Sequence, residues 1–265
     1  MNCTDLARRR GFDEPSRGAL GDWLEQLYWR VERFVVPGLT YSQDSYAETL
    51  DVYAKAHADW LDVGCGHQIL PAWREAAEQR LVSRCRRVVG VDRVPTSLKQ
   101  HRTISRLAVG DIIDLPFAAD TFDLVTANMV VEHLRDPERS LREVWRIVKP
   151  GGVFLFLTPN ALGYSTILAR LLPERFKLLL VRVIQGRRSQ DVFQTHYRVN
   201  TRTAIERMAR VTGFEAEVIQ PIASGAEFIR FLPFALLELL WIRMLRSERF
   251  RALRTSIIAV LRKPH

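Results

Sequence analysis

Apolar positions along the chain switch between helical and strand spacing at regular intervals. Leu20, Trp23, Leu24, Leu27, Tyr28, Val31, Phe34 and Val35 recur three and four residues apart, which predicts an amphipathic helix stopped by Pro37-Gly38. Residues 1–18 carry no such pattern and read as a flexible tail, and a second helix is expected around 43–57. Short apolar runs then predict strands at 59–63, 86–91, 106–109, 122–127, 151–157, 214–220 and 255–262, with helices between them. Near-continuous runs such as VFLFL at 153–157 belong to strands covered on both faces. The pattern is that of an α/β fold with a doubly wound, mostly parallel seven-stranded sheet and helical insertions.

Two insertions interrupt the alternation. The first, 159–200, contains the basic amphipathic stretch LPERFKLLLVRVIQGRR at 172–188 and then DVFQTHYRVNT at 191–201. The second, 224–253, carries FIRFLPFALLELLWI at 228–242, too short and too interrupted by Arg230, Pro233 and Glu238 to span the ~20 apolar residues a bilayer needs. Two readings of that run stay open. It packs on its own domain or a second subunit, or it lies in a membrane interface with Trp241 at headgroup level and the arginines at 243, 246, 249, 251 and 254 facing anionic lipid.

The densest chemical signal is WLDVGCG at 60–66, followed by RRVVGVD at 86–92. Gly64 and Gly66 allow a sharp turn and close approach of backbone to a ligand. Asp92, at the tip of the next strand, is placed to accept hydrogen bonds from two ribose hydroxyls. A glycine turn alone is shared by several nucleotide-binding classes. Asp62 separates them, because a carboxylate there would repel a pyrophosphate and suit a ligand with a cationic end, such as a sulfonium or an amino group. Gln68 also stands where GxGxxG would continue, so S-adenosylmethionine is favoured over NAD.

Later runs fall in a matching order. GDIIDLPF (110–117) supplies Asp111 and Ile112, FDLVTANMVVEHL (122–134) is a strand with a polar tip, and IVKPGGVFLFLTPN (147–160) is a helix end, a Gly-Gly turn and a strand. From about residue 58 to 160 the chain resembles the class I S-adenosylmethionine-dependent methyltransferases, in particular the small-molecule group that includes the ubiquinone/menaquinone biosynthesis methyltransferases. The resemblance implies a Rossmann-like methyltransferase fold over 41–265 behind an N-terminal tail and helix at 1–40, with 159–200 as a lid. It implies S-adenosyl-L-methionine as cofactor. Asp62, Gly64 and Gly66 would line its methionine and ribose, Asp92 would grip the ribose, Asp111 and Ile112 would recognise adenine, and Asn128 and Met129 would lie beside the sulfonium. Cys65 in the turn and Arg93 after Asp92 complete the expected cofactor set. The departure from the family pattern is His67-Gln68, where a small residue and a third glycine are more usual.

Composition narrows the setting. Residues 1–162 carry 21 Lys and Arg against 22 Asp and Glu, whereas 163–265 carry 18 against 8, so the net charge of +9 resides in the C-terminal portion. That asymmetry fits an anionic partner or a solvated basic face. Cys3, Cys65 and Cys85 are odd in number and lack CxxC spacing, which argues against a disulfide framework or a zinc site and suits a reducing cytoplasm. The first 18 residues hold no apolar h-region, so no signal peptide is expected.

The expected reaction is transfer of a methyl group to a small-molecule acceptor, lipidic or glycosidic, with O-methylation ahead of C- or N-methylation. A hydroxyl acceptor needs a proton removed, and His133, Tyr164, His196 and Tyr197 are the candidates, the last two because they sit in the lid insertion. No nucleic acid is expected, since ANMV stands where base-flipping amino methyltransferases carry Asn/Asp-Pro-Pro-aromatic and no cysteine follows Cys85. No metal cluster is evident. The competing reading is a methyltransferase-like fold that binds the nucleoside without turnover.

Overall fold

A computed structural model describes residues 19–171, 194–226 and 232–265. The expected tail at 1–18 and the basic stretch at 172–188 lie outside the described residues. Helix α1 (Ala19–Val35) ends at Pro37-Gly38, where Gly38 takes φ +67°, and α2 (Ser42–Tyr53) leads into β1 (Asp59–Val63). There follow α3 (Glu75–Arg84), β2 (Arg87–Asp92), the single turn α4 (Pro95–Leu98), β3 (Arg106–Val109) and β4 (Phe122–Asn128). A 3-10 turn at Val131–His133 precedes α5 (Pro137–Ile147) and β5 (Val148–Pro159). The remainder is α6 (Tyr164–Leu171), α7 (Arg202–Thr212), β6 (Glu215–Ile222), α8 (Leu232–Leu245) and β7 (Ser256–Arg262).

All seven expected strands form one sheet in the order β3-β2-β1-β4-β5-β7-β6. The first five are parallel, and β7 runs antiparallel between β5 and β6. The strand order reverses between β1 and β4, which opens a crevice at their C-terminal ends where doubly wound sheets bind ligands. Apolar layers cover both faces. One centres on Leu61, Val125, Phe154 and Phe156 under α5 and α7, the other on Trp60, Leu124, Leu155 and Leu157 under α2 and α3. Alternate residues of each strand therefore point to opposite cores, as the pleat requires.

Local chemistry sets the helix ends. Asp136 caps α5 by accepting the Arg139 amide, with Pro137 in the first turn, and Thr201 caps α7 through the Ala204 amide. Gly213 ends α7 in the left-handed region at φ +88°. A third apolar cluster joins α1 to α8 through Tyr28, Trp29, Ala235, Leu239 and Ile242. The described part of the 228–242 run is thus a helix packed by one face on α1.

Candidate functional site

The turn after β1 is built by backbone bonds that its two glycines make possible. The Gly64 and Cys65 amides both donate to Val91 O, at 2.7 and 3.1 Å. Gly64 (φ +68°) and Gly66 (φ +52°) occupy left-handed conformations. A Cβ on Gly64 would run into the Val130 side chain, whereas one on Gly66 would meet nothing within 4 Å and would jut into the crevice. Cys65 is buried, its Sγ against the bare Cα of Gly90, and burial raises its thiol pKa first of all. It fills the strand–strand gap and can offer a ligand only its backbone. In place of a third glycine, the Gln68 amide donates to Cys65 O and the Arg102 amide to His67 O, which closes the loop as a turn.

Asp92 stitches this turn to the next one. Its Oδ2 accepts the Gly66 amide at 2.9 Å and its Oδ1 accepts the Val94 amide at 2.8 Å. Each carboxylate oxygen has a further lone pair, so both can still accept from hydroxyls. Asp111, just past β3, is partly exposed, accepts the Ile113 amide and lies 3.4 Å from the Arg93 guanidinium, itself largely in solvent. Ile112 is buried in the core beside Leu115, so its side chain supports the site from below.

Asp62 is the most unusual group. It is buried, accepts the Thr126 hydroxyl at 2.5 Å, and its pKa is pushed up to about 7. Burial is the main cause; the Thr126 bond opposes it, and the charges of Glu78 and Asp92 add to it. Thr126 also accepts the Trp60 indole at 2.7 Å, and the buried Tyr46 phenol stands in the same field of Asp62. A carboxyl that titrates near 7 is drawn into its ionised form by a cation arriving beside it, and that form in turn attracts the cation.

At the tip of β4, Asn128 is clamped by Gln43 of α2 through two reciprocal hydrogen bonds between their side-chain amides, 2.9 and 3.1 Å, and donates to Ile69 O. Met129 follows at φ +58° with its side chain 42% exposed. A non-glycine residue in that region is strained, and strain of this kind collects at functional sites. In the next turn Glu132 is buried and accepts the Thr158 hydroxyl at 3.1 Å, and burial raises its pKa. Its backbone oxygen takes the amides of both His196 and Tyr197, at 2.7 and 3.2 Å.

Three of the four candidates for proton transfer therefore meet at one place. The backbones of His133, His196 and Tyr197 come together at Glu132, in the 3-10 turn just past β4. His133 Nδ1 lies 3.0 Å from Gln194 O, and since a carbonyl only accepts, this nitrogen carries the hydrogen. His133 Nε2 lies 3.9 Å from Glu132 Oε1. Tyr197, at φ +52°, has the Arg170 guanidinium 4.7 Å above its ring. Tyr164 goes elsewhere: its hydroxyl donates to Glu238 Oε1 at 2.6 Å and joins α6 to α8. Gln43, Thr126, Trp60, Glu132 and Thr158 escaped the sequence reading. Only Glu132, an acid beside a histidine just past a strand end, carried a legible signal.

Residues 61–156 match a family model described as a methyltransferase domain. A probable S-adenosylmethionine-dependent methyltransferase of Mycolicibacterium smegmatis is 29% identical over 138 residues, 49% of this chain and 51% of that protein. A demethylmenaquinone methyltransferase of Corynebacterium kroppenstedtii is 41% identical over 101 residues, 35% of this chain and 44% of its own length. The chain thus spans about half or less of the curated relatives it matches. Among solved structures, an S-adenosylmethionine-dependent methyltransferase from Mesorhizobium loti superposes with a TM-score of 0.54 at 16% identity, covering 84% of this chain and 98% of that one. This likeness establishes the fold.

Proposed function

We propose that this protein, whose residues 61–156 match a methyltransferase-domain model, moves the methyl group of S-adenosylmethionine to a hydroxyl of a small-molecule acceptor. One observation carries the reading: Asp62 near the end of β1, Asp92 closing β2 and Asp111 just past β3 stand at the C-terminal ends of three adjacent parallel strands, around a glycine turn that Asp92 itself holds in shape. Their spacing along the crevice suits the parts of one ligand. Asp62 would meet the cationic methionine end, Asp92 the ribose hydroxyls, and Asp111 with the Ile112 backbone the adenine edge. Gly66 leaves room for backbone approach.

The bound cofactor would supply an activated methyl on a sulfonium. The chain's own work is to position the acceptor, exclude water and receive a proton. His133 suits the last task. Its Nδ1 hydrogen is spent on Gln194 O, which leaves Nε2 as the nitrogen that takes up the proton. The Glu132 carboxyl lies beside it, 3.9 Å from Nε2. Met129, exposed at the β4 tip, would give the acceptor an apolar contact.

The test is calorimetric titration of S-adenosylhomocysteine into wild type and Asp92→Ala, followed by methyl transfer from labelled S-adenosylmethionine to candidate hydroxyl acceptors with wild type and His133→Gln. The expected result is binding that Asp92→Ala loses, and a turnover that His133→Gln lowers about 100-fold or more at unchanged cofactor affinity. Absence of S-adenosylhomocysteine binding by the wild type would overturn the proposal.

A further inference from the structure

Helix α8 is apolar on more than the face it buries. Ala235, Leu239 and Ile242 turn onto α1. At 3.6 residues per turn the remaining positions make up the opposite side. There stand Phe234 (64% exposed), Leu236, Leu237 (65%) and Leu240 (57%). A helix side that faced only water would carry polar residues at these places. The neighbouring α6 is tied to α8 by the Tyr164–Glu238 bond and by the Tyr164 and Trp241 rings, 6.4 Å apart. It adds Ile167, Leu168 and Leu171, the last 76% exposed. Large apolar side chains grouped in this way mark an interaction surface.

Charge at the border of the patch selects the partner. Arg243 and Arg246, at the C-terminal end of α8, donate to the carbonyls of Val35 and Pro37, neutral acceptors. Arg249 and Arg251 lie exposed just beyond, with Arg251 3.8 Å from Glu248. Between 232 and 251 the acids are Glu248 and Glu238, and Glu238 is buried against Tyr164. The rim is therefore net positive. A second copy docked face to face would bring these arginines together, which like charges oppose. A bilayer with anionic headgroups meets both halves of the pattern, acyl chains for the leucines and phosphates for the arginines. The 14 residues of α8 extend only roughly 21 Å, and among the described residues no helix is long and apolar enough to cross a membrane. We infer that the α8–α6 face docks on an anionic lipid surface, with α8 lying in the interfacial plane. This stands apart from the cofactor reading, since it uses none of the residues given a role in binding the cofactor or moving the proton.

Flotation with vesicles of phosphatidylcholine plus phosphatidylglycerol, against phosphatidylcholine alone, tests it on the full chain. The wild type is expected to float with the anionic vesicles at low ionic strength and to be released near about 1 M salt, where the Debye length falls to roughly 3 Å. Replacing Leu237 and Leu240 together by Glu should cut the floated fraction about tenfold or more, and Arg249→Gln with Arg251→Gln by a similar factor. Thermal melts of the same variants check that they fold, and the arginine pair lies outside the α8–α1 packing. Three outcomes would overturn the inference: no flotation with anionic vesicles at low salt, flotation that both pairs leave unchanged, or a wild-type dimer that the leucine pair dissociates without any lipid binding.

Discussion

The crevice above β1, β2 and β4 and the helical layer of α1, α6 and α8 solve opposite problems. In the crevice, polar groups are buried or half-buried and each is held by a named partner: Asp62 by Thr126, Asp92 by two amides, Asn128 by Gln43, Glu132 by Thr158. In the helical layer, large apolar groups face outward, Phe234, Leu237 and Leu171 among them. Burying an unpaired polar group and exposing grouped apolar ones both cost free energy. A partner bonded inside the protein settles the first cost. Among the described residues, nothing settles the second. The crevice is thus preorganised, as the proposed receptor would need to be, and the layer presents apolar surface among the described residues.

The strongest way to break the contrast is at Asp92. Asp92→Ala removes the hydrogen bonds that shape the glycine turn together with the expected ribose contact, and should weaken S-adenosylhomocysteine binding by about 100-fold or more. An unchanged titration would mean that the crevice is not the receptor described. Next in size is a pair of leucines one residue apart on α8. Leu239→Ala, in the α1 interface, should destabilise the fold by about 2–5 kcal/mol, whereas Leu240→Ala should stay within about 0.5 kcal/mol. Equal losses in urea denaturation would show that the outer face is buried after all. Gly64→Ala places a Cβ against Val130 at a left-handed φ, and should lower stability by about 1–3 kcal/mol.

The smallest effect is a pH dependence. Asp62 sits near 7 in the folded chain against an ordinary 3.8, so the folded state holds that proton more tightly than the unfolded one. Its contribution to stability is therefore fully present below 3.8, declines as pH rises towards 7, and is level above that. Binding of a cationic ligand runs the other way, because ionised Asp62 attracts it. The affinity for S-adenosylmethionine should rise about tenfold between roughly pH 6 and 8 in wild type and stay flat in Asp62→Asn, by calorimetry at each pH. Glu78, Asp92, Tyr46 and Thr126 surround the carboxyl. The Asp92 variant should change both profiles.

Legibility in the sequence follows the same divide. The seven strands were readable because two-sided burial writes itself as apolar runs, and their edges moved by only a few residues; β5 extends back to Val148 through the Gly-Gly turn. The carboxylates at strand ends were readable because their backbone setting is local. Gln43 and Thr158 were not, since an amide or hydroxyl that pairs across the fold leaves no periodic trace; Gln43 reaches Asn128 from 85 residues away. The outer side of α8 was ambiguous for a different reason. Spacing says which positions share a face and nothing about what that face meets.

The position of β7 has a consequence for synthesis. It is the last strand in chain order, yet it lies inside the sheet, between β5 and β6. A ribosome delivers β1 to β5 as a closed parallel block, then must make everything from Pro159 to Ser256 before the β5 edge gains its neighbour. At roughly 5–20 residues per second that edge stays open for on the order of 5–20 seconds, and β6 has no strand to pair with meanwhile. The nascent chain thus carries an exposed template for wrong strand pairing through much of its translation. Its yield in a cell will respond to elongation speed and to chaperone supply in that window, while the finished molecule shows no trace of the hazard.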